Sequence, residues 1–226
     1  MLIEFSIENF RSIKEEITLS MVATKDSSLN NNLINGNSLN QDKLLRSSVI
    51  YGANASGKTN ILYGLHFLRL LVLNSHNHQK GQGIRFTPFK LDKKSKSNPT
   101  KFKVVFIKDR IKHLYEVSFK KDKIIDESLY LYPNNRQALI FERKNTTEYR
   151  FTQNKKEQEF IAKRTLDNVL YLSKSTQENY KETGIAFDWF KDCLNVIGPT
   201  DHPSLREVTA NMLRKDKSLK KIILKA

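Results

Sequence analysis

The sequence predicts an α/β fold with an antiparallel, β-rich middle and a helical final third. Three observations predict it. Residues 51–60 read YGANASGKTN, in which Gly52, four intervening residues and Gly57-Lys58-Thr59 match the pattern G-x-x-x-x-G-K-[ST]. The apolar run Ser48-Val49-Ile50-Tyr51 precedes this stretch as a short buried strand would, and an amphipathic run follows it as a helix would. Residues 100–151 then break into short alternating runs separated by turn residues, and from Lys155 the pattern turns helical.

Residues 2–7 alternate, with Ile3, Phe5 and Ile7 on one face, which predicts a strand. Ile17 to Met21 gives a second, and the two pair as a hairpin across Glu8 to Ser12. The stretch from Thr24 to Asp42 is rich in Asn and Ser and predicts an irregular loop. The helix after the glycine-rich loop runs from Lys58 to about Asn74. Ile61, Leu65, Leu68 and Val72 fall at helical spacing, and Leu62 and Leu71 widen the stripe enough to require cover on most of the helix surface.

The β-rich middle reads as a meander. Its runs are Phe102 to Ile107, Leu114 to Phe119, Ile124 to Tyr132, Ala138 to Arg143 and Tyr149 to Phe151. Hairpin turns fall at Asp109-Arg110, Lys121-Asp122 and Asn145-Thr146. Helices follow at 155–164, 177–183 and 186–196, with a last one from about Pro203. Ile124-Ile125-Asp126-Glu127 superficially matches a hydrophobic-Asp-Glu metal-binding strand. Only two apolar residues precede the acids and the segment lies among antiparallel strands, so it reads as an ordinary strand with solvated acids.

The spelling of the loop dictates its chemistry. Gly52 and Gly57 permit dihedrals that let successive N–H groups of Ala53, Asn54, Ala55, Ser56 and their neighbours point into one concavity. The positive end of the following helix adds to that field. Lys58, the candidate catalytic residue, reaches the β- and γ-phosphates of ATP as a point charge, and Thr59 offers its hydroxyl to Mg²⁺.

Composition narrows the partners. Lys plus Arg number 39 against 24 Asp plus Glu, a formal charge of +15 over 226 residues. Such an excess suits a polyanion, either nucleic acid or an acidic protein surface, or else reflects a Lys- and Asn-rich solvated exterior. Cys193 is the only cysteine, which excludes an intrachain disulfide and points to a reducing cytoplasm. Leu65 to Leu73 is too short and too interrupted to span a bilayer, and MLIEFSIENF lacks the basic start of a signal peptide. His76 and His78 stand on a polar loop without further ligands and read as solvated.

MLIEFSIENFRSIKEEITLSMVA, then YGANASGKTNIL, then FTPFKLD with a Pro-Thr-x-Phe strand after it, resemble the N-terminal half of ABC-type AAA-family ATPases. These are phosphate-loop NTPases related to RecF, the SMC proteins and the overcoming-lysogenization-defect nucleases. The N-F-R-S-[IFY] element at Asn9 to Ile13 and Asn60 after the Lys-Thr pair carry the likeness, with looser matches at 170–179 and 187–190. The resemblance implies an ABC-type head with a mixed sheet around the phosphate loop, an antiparallel β-subdomain and a helical lobe. It divides the chain into a core at 1–99, a β-subdomain at 100–152 and a helical segment at 153–226. It also places Arg11 near the nucleotide.

Heads of this kind hydrolyse ATP between two protomers, using a Ser-Gly signature, an Asp-Glu strand and a downstream His. None of these is found here, and Gln79, Gln82 and Gln137 are candidates for the nucleotide-sensing glutamine without context. The chain is therefore expected to be an N-terminal portion of a longer ATPase or a short form, binding nucleotide and hydrolysing it poorly alone. The implied role is an ATPase that dimerises on MgATP and controls a partner nuclease or toxin in bacterial anti-phage defence. The alternatives are a DNA-binding repair or recombination ATPase of the RecF/SMC type and a nucleotide-binding module that does not hydrolyse.

Overall fold

The computed structural model describes residues 1–25, 29–35, 43–54 and 56–197, with 207, 210, 211, 213 and 214. Residues 1–194 form one compact unit. Residues 195–226 form a second, in which 207, 210, 211, 213 and 214 are helical; the start expected at Pro203 lies outside the described residues.

β1 (Leu2–Glu8) and β2 (Ile17–Ser20) pair antiparallel as the alternation predicts, Phe5 opposite Leu19 and Ile7 opposite Ile17. The segment read as an irregular loop, Thr24 to Asp42, contains a short strand, β3 (Leu33–Asn35), which pairs with β4 (Lys43–Leu45) just beyond it. The helix after the glycine-rich loop, α1, spans Lys58–Asn74, and a short helix, α2, spans Lys93–Ser97. The meander follows as β5 (Thr100–Lys108), β6 (Ile111–Phe119), β7 (Ile124–Tyr132), β8 (Ala138–Lys144) and β9 (Glu148–Phe151). Asp109 and Arg110 both take positive φ, the backbone that a two-residue hairpin requires, and Asn145 and Thr146 take positive φ in the three-residue turn between β8 and β9.

The sheet departs from expectation in two ways. Its order is β2-β1-β5-β6-β7-β8-β9, so the N-terminal hairpin and the meander are one seven-stranded sheet, joined where Phe5 faces Val104 and Ile7 faces Phe102. Every pairing among the described strands is antiparallel, not mixed. The run at 48–51, expected as a buried strand, forms no strand. Val49 and Tyr51 are 81% and 89% exposed, because no described strand lies alongside to pair its backbone and no layer covers its side chains.

One sheet face is buried under helices. Phe5, Phe102, Phe119 and Phe67 of α1 form a continuous aromatic cluster, with Phe67 stacked on Phe119 at 5.6 Å. α1 sits down on the sheet at Gly64, where a Cβ would meet Ile7 Cδ1 at 2.3 Å and Phe102 Cε1 at 3.4 Å. Its far side is left partly open: Leu62, Tyr63 and Leu70 are exposed, so the cover expected over most of this helix reaches only one stripe. The other sheet face is a polar ladder, including Ser6 Oγ to Thr18 Oγ1 at 2.8 Å, Lys101 to Glu8 at 3.0 Å and Arg150 to Glu142 at 3.0 Å. Alternation along each strand makes both faces at once.

The helices after the sheet are α3 (Lys155–Lys163), α4 (Tyr171–Gln177) and α5 (Lys181–Asp188), followed by a π-turn at Trp189–Cys193. The expected helix at 177–183 falls across a break instead, since Asn179 turns the chain at φ +61 between α4 and α5. α4 starts six residues earlier because Glu127 caps it. The Glu127 carboxylate accepts the N–H groups of Tyr171 at 2.6 Å and Leu172 at 2.9 Å, and the Tyr115 hydroxyl at 2.9 Å.

His113 is wholly enclosed, stacked on Phe106 at 4.8 Å, which stacks in turn on Trp189 at 4.2 Å. Its Nδ1 lies 2.9 Å from the Ile111 carbonyl, and its Nε2 has no partner among the described residues. Burial holds its pKa down to about 4. The unfolded chain therefore binds a proton at this site between pH 6.5 and about 4 that the folded chain does not, and stability must fall as pH falls through that window. Urea unfolding at pH 5 should show His113 costing about 2 kcal/mol relative to pH 7. A His113→Phe variant should lose that increment of acid sensitivity, and an unchanged difference between the two pH values would remove His113 as its source.

Candidate functional site

The site is assembled by a turn and a helix start. Phe10 and Ile13 exchange two backbone hydrogen bonds of 2.9 Å, which throws Arg11 and Ser12 out as a tight turn at the end of β1. Arg11 holds φ +53, fixed by its N–H donating to the Thr87 carbonyl at 2.8 Å. The turn stands against the first turn of α1. Arg11 Nη1 donates to Asn60 Oδ1 at 3.2 Å, Asn60 Nδ2 donates to Ser12 Oγ at 2.6 Å, and the Arg11 guanidinium lies 4.4 Å from the Tyr63 ring centroid.

Gly57 is the N-cap of α1 at φ +94, a left-handed conformation, and no side chain caps the helix there. A Cβ at Gly57 would also come within 2.9 Å of Ser12 Oγ, so both the dihedral and the approach of the turn require glycine. The first N–H groups of a helix have no acceptor of their own within it. Here they open into a concavity of about 310 Å³ lined by Ser56, Gly57, Lys58, Thr59 and Asn60. Lys58 Nζ reaches back across it to the carbonyls of Gly52 at 2.8 Å and Ala53 at 2.6 Å. Ser56 and Thr59, which line it, are exposed, as are Gly52, Ala53 and Asn54 before it; Ala55 lies outside the described residues. An uncapped helix start, an ammonium and a hydroxyl on one small concavity form a donor set that fits polyphosphate and a hard cation.

Arg11 stands against Asn60 of the loop motif, and three residues outside the predicted site set join them. Ser12 and Tyr63 touch Asn60 and Arg11, and Asn9 holds the turn in place. Asn9 is 2% exposed at φ +52, and its Nδ2 faces the carbonyls of Ser95, Asn98 and Pro99 while Oδ1 accepts the Phe89 N–H at 3.0 Å. The available signal was Asn itself, the residue apart from glycine that most readily takes positive φ.

Other candidates separate from the site. Gln79 and Gln82 follow the far end of α1, about 25 Å of helix from its start, where their carbonyls accept from Asn168 Nδ2. Gln137 is exposed between β7 and β8. His76 and His78 are not solvated loop residues: their Nδ1 atoms pair with Ser173 Oγ at 3.0 Å and the Asn168 carbonyl at 3.1 Å. No group of three His, Cys, Asp or Glu that could hold a metal occurs among the described residues.

The two acids of β7 part company. Asp126 is exposed, accepting from Ser118 Oγ at 2.8 Å. Glu127, expected to be solvated, is buried, because its register opposite Val117 and Arg143 turns it to the helix-covered face. Burial raises its pKa, opposed by the nearby Arg143 charge and by the N–H groups of Leu172 and Tyr171. Both oxygens are committed to the α4 cap and Tyr115.

A family model described as "AAA domain, putative AbiEii toxin, Type IV TA system" matches residues 47–202, more than two thirds of the chain. No curated protein matches it.

Two measurements test this geometry. In a double-mutant cycle of Arg11→Ala and Asn60→Ala, the stability losses should be non-additive, with a coupling of about 0.5–1.5 kcal/mol for the bond they share; additive losses would show the contact to be idle. Glu127→Gln should cost roughly 1–3 kcal/mol in urea unfolding while leaving affinity for nucleotide within about twofold. A variant as stable as the parent but altered at the nucleotide would place the carboxylate in the chemistry instead.

Proposed function

Because the chain belongs to that AAA-domain family, we propose that it binds MgATP at residues 52–60 and serves as the nucleotide-holding part of an ATPase. The observation that carries this reading is the uncapped start of α1. Gly57, Lys58 and Thr59 present backbone donors, an ammonium and a hydroxyl to one concavity, braced by Arg11 and Asn60. Lys58 is the residue that meets the β- and γ-phosphates, displacing its present bonds to the Gly52 and Ala53 carbonyls. Thr59, the motif's hydroxyl, would ligate Mg²⁺. The metal, when bound, neutralises phosphate charge; the chain's own contribution is to hold and orient. Arg11 adds a planar cation at the edge of the site, and its guanidinium is the donor that a phosphate or a facing protomer would engage.

Hydrolysis needs a carboxylate that positions water. Glu127 is enclosed beneath α4 and Asp126 lies on the opposite sheet face, so neither residue of β7 takes that role. In this proposal a second polypeptide segment or protomer closes over the nucleotide and supplies it. The family description ties such domains to toxin systems, which supports a role in which nucleotide-dependent closure governs a toxin or nuclease partner during phage infection. No described helix is long and apolar enough to cross a membrane.

Titration calorimetry with MgATP tests the site directly. Lys58→Ala should weaken binding by roughly 100-fold or more, the loss of about two charge-assisted bonds at 1.5–3 kcal/mol each. An unchanged affinity would refute the assignment. Mass measured with and without ATP reads closure separately.

A further inference from the structure

β9 closes the sheet at one end. It pairs with β8 alone, in continuous register, and no strand lies on its other side among the described residues. The opposite end is treated differently. The chain leaving β2 is bonded to the small ribbon, Ala23 N–H to the Lys43 carbonyl at 2.8 Å and Leu45 N–H to the Met21 carbonyl at 2.8 Å. β9 carries no proline, lysine or bulge, the usual devices that keep a sheet edge from pairing with another chain. Its outward backbone groups therefore form a template for a further strand.

Space lies beside the strand as well. A groove of about 420 Å³ is lined by Tyr149 and Phe151 from β9 and by Glu159, Ala162 and Lys163 from α3. Tyr149 is half-buried, while Glu148 and Arg150 are exposed on the polar face of the sheet. The order of these residues is self-complementary. When β9 is laid antiparallel against a copy of itself about an axis at Tyr149, Glu148 falls opposite Arg150 of the second copy, and Arg150 opposite its Glu148. Tyr149 then meets its own equivalent. Opposite charges and aromatic pairs directly across two antiparallel strands stabilise the pairing. Registers centred one residue to either side would set Glu148 against Glu148 or Arg150 against Arg150, so charge selects the register. Arg150 meets Glu142 through Nε at 3.0 Å, and its guanidinium carries further donors for a second carboxylate.

We propose that β9 is a contact between two copies of this chain, which pair edge to edge so that their sheets run on as one. The contact uses the same strand from both copies, so it closes at a dimer. A strand of four residues offers a small interface, which makes the association weak and reversible. The proposal goes beyond nucleotide binding at 52–60 and does not rest on it. In the sheet order β9 is five strands, about 24 Å, from β1, whose end carries the Arg11 turn. Closure over the phosphate loop beside that turn leaves β9 open, so one chain can make both contacts at once.

The test is sedimentation velocity on the full chain without nucleotide, from about 5 to about 300 µM. A reversible monomer–dimer equilibrium should appear. Glu148→Arg, which keeps the Arg150–Glu142 pair, sets arginine against arginine across the axis and should weaken self-association by about tenfold or more. Arg150→Glu should do the same by setting carboxylate against carboxylate. Mixed one to one, the two variants offer each other opposite charges at both positions and should associate within about threefold of the parent. Recovery in the mixture separates lost pairing from a damaged fold. A parent that stays monomeric at about 300 µM would overturn the proposal. So would a Glu148→Arg chain that dimerises as the parent does, or a mixture that associates no better than either variant alone.

Discussion

The buried side chain of Asn9 is the constraint on which the site depends. Its backbone N–H meets the Lys14 carbonyl, its own carbonyl accepts the Thr100 hydroxyl at 2.7 Å, and its amide joins α2, the entry to β5 and the segment at 86–89. Three pieces of chain distant in sequence are thus fixed to one residue. A buried amide satisfied on every side is costly to disturb, since any substitution strands several backbone groups at once. The adjoining turn inherits that rigidity. Arg11 and Ser12 reach Asn60 and crowd Gly57 because the base of their turn cannot shift.

Glu127 plays the corresponding part at the other end of the sheet. It joins Tyr115 of β6 to the start of α4, while its cross-strand neighbour Arg143 donates to the carbonyl of Val169 in the approach to that helix and to that of Thr146 in the β8–β9 turn. Breaking such a buried charge arrangement is far more damaging than never having built it. The acid that most resembles a metal-binding carboxylate in the sequence is therefore a fastening between sheet and helices. Position in the pleat decided this: Asp126 and Glu127 are neighbours in sequence and sit on opposite faces.

Where the sequence could be read, local rules decided the outcome. The span of α1, the alternation of β1 and the positive-φ hairpins at Asp109-Arg110 and Asn145-Thr146 follow from periodicity and turn chemistry. The loop motif announced its concavity because its glycines and its helix are contiguous. What could not be read came from contacts distant in sequence. Nothing local says that β1 pairs with β5, that α4 starts at Tyr171 beneath a carboxylate 44 residues earlier, or that His113 is sealed against Phe106. The run at 48–51 failed in the opposite sense. Its composition suits a buried strand, yet strand formation needs a neighbour, and none of the described strands is beside it.

That exposed run and the open side of α1 bear on how the loop is held. Residues 48–52 approach the phosphate loop outside any strand, held at one end where Ser47 bonds Asn32 and at the other where Lys58 Nζ meets the Gly52 and Ala53 carbonyls, so the entering side of the loop is lightly braced. The leaving side is the reverse. α1 is seated at Gly64 on Ile7 and Phe102, and at Arg69 it is tied to the carbonyls of Phe190 at 2.9 Å and Lys191 at 3.1 Å. A ligand that takes the Lys58 ammonium from the Gly52 and Ala53 carbonyls would free residues 48–54 to shift, whereas any backbone displacement of Lys58 or Thr59 must carry α1 with it. Nucleotide-dependent movement would accordingly arise on the entering side, next to the uncovered Val49, Tyr51, Leu62 and Tyr63. A surface that is apolar, exposed and adjacent to residues 52–60 is the one whose burial a ligand held there would most directly control.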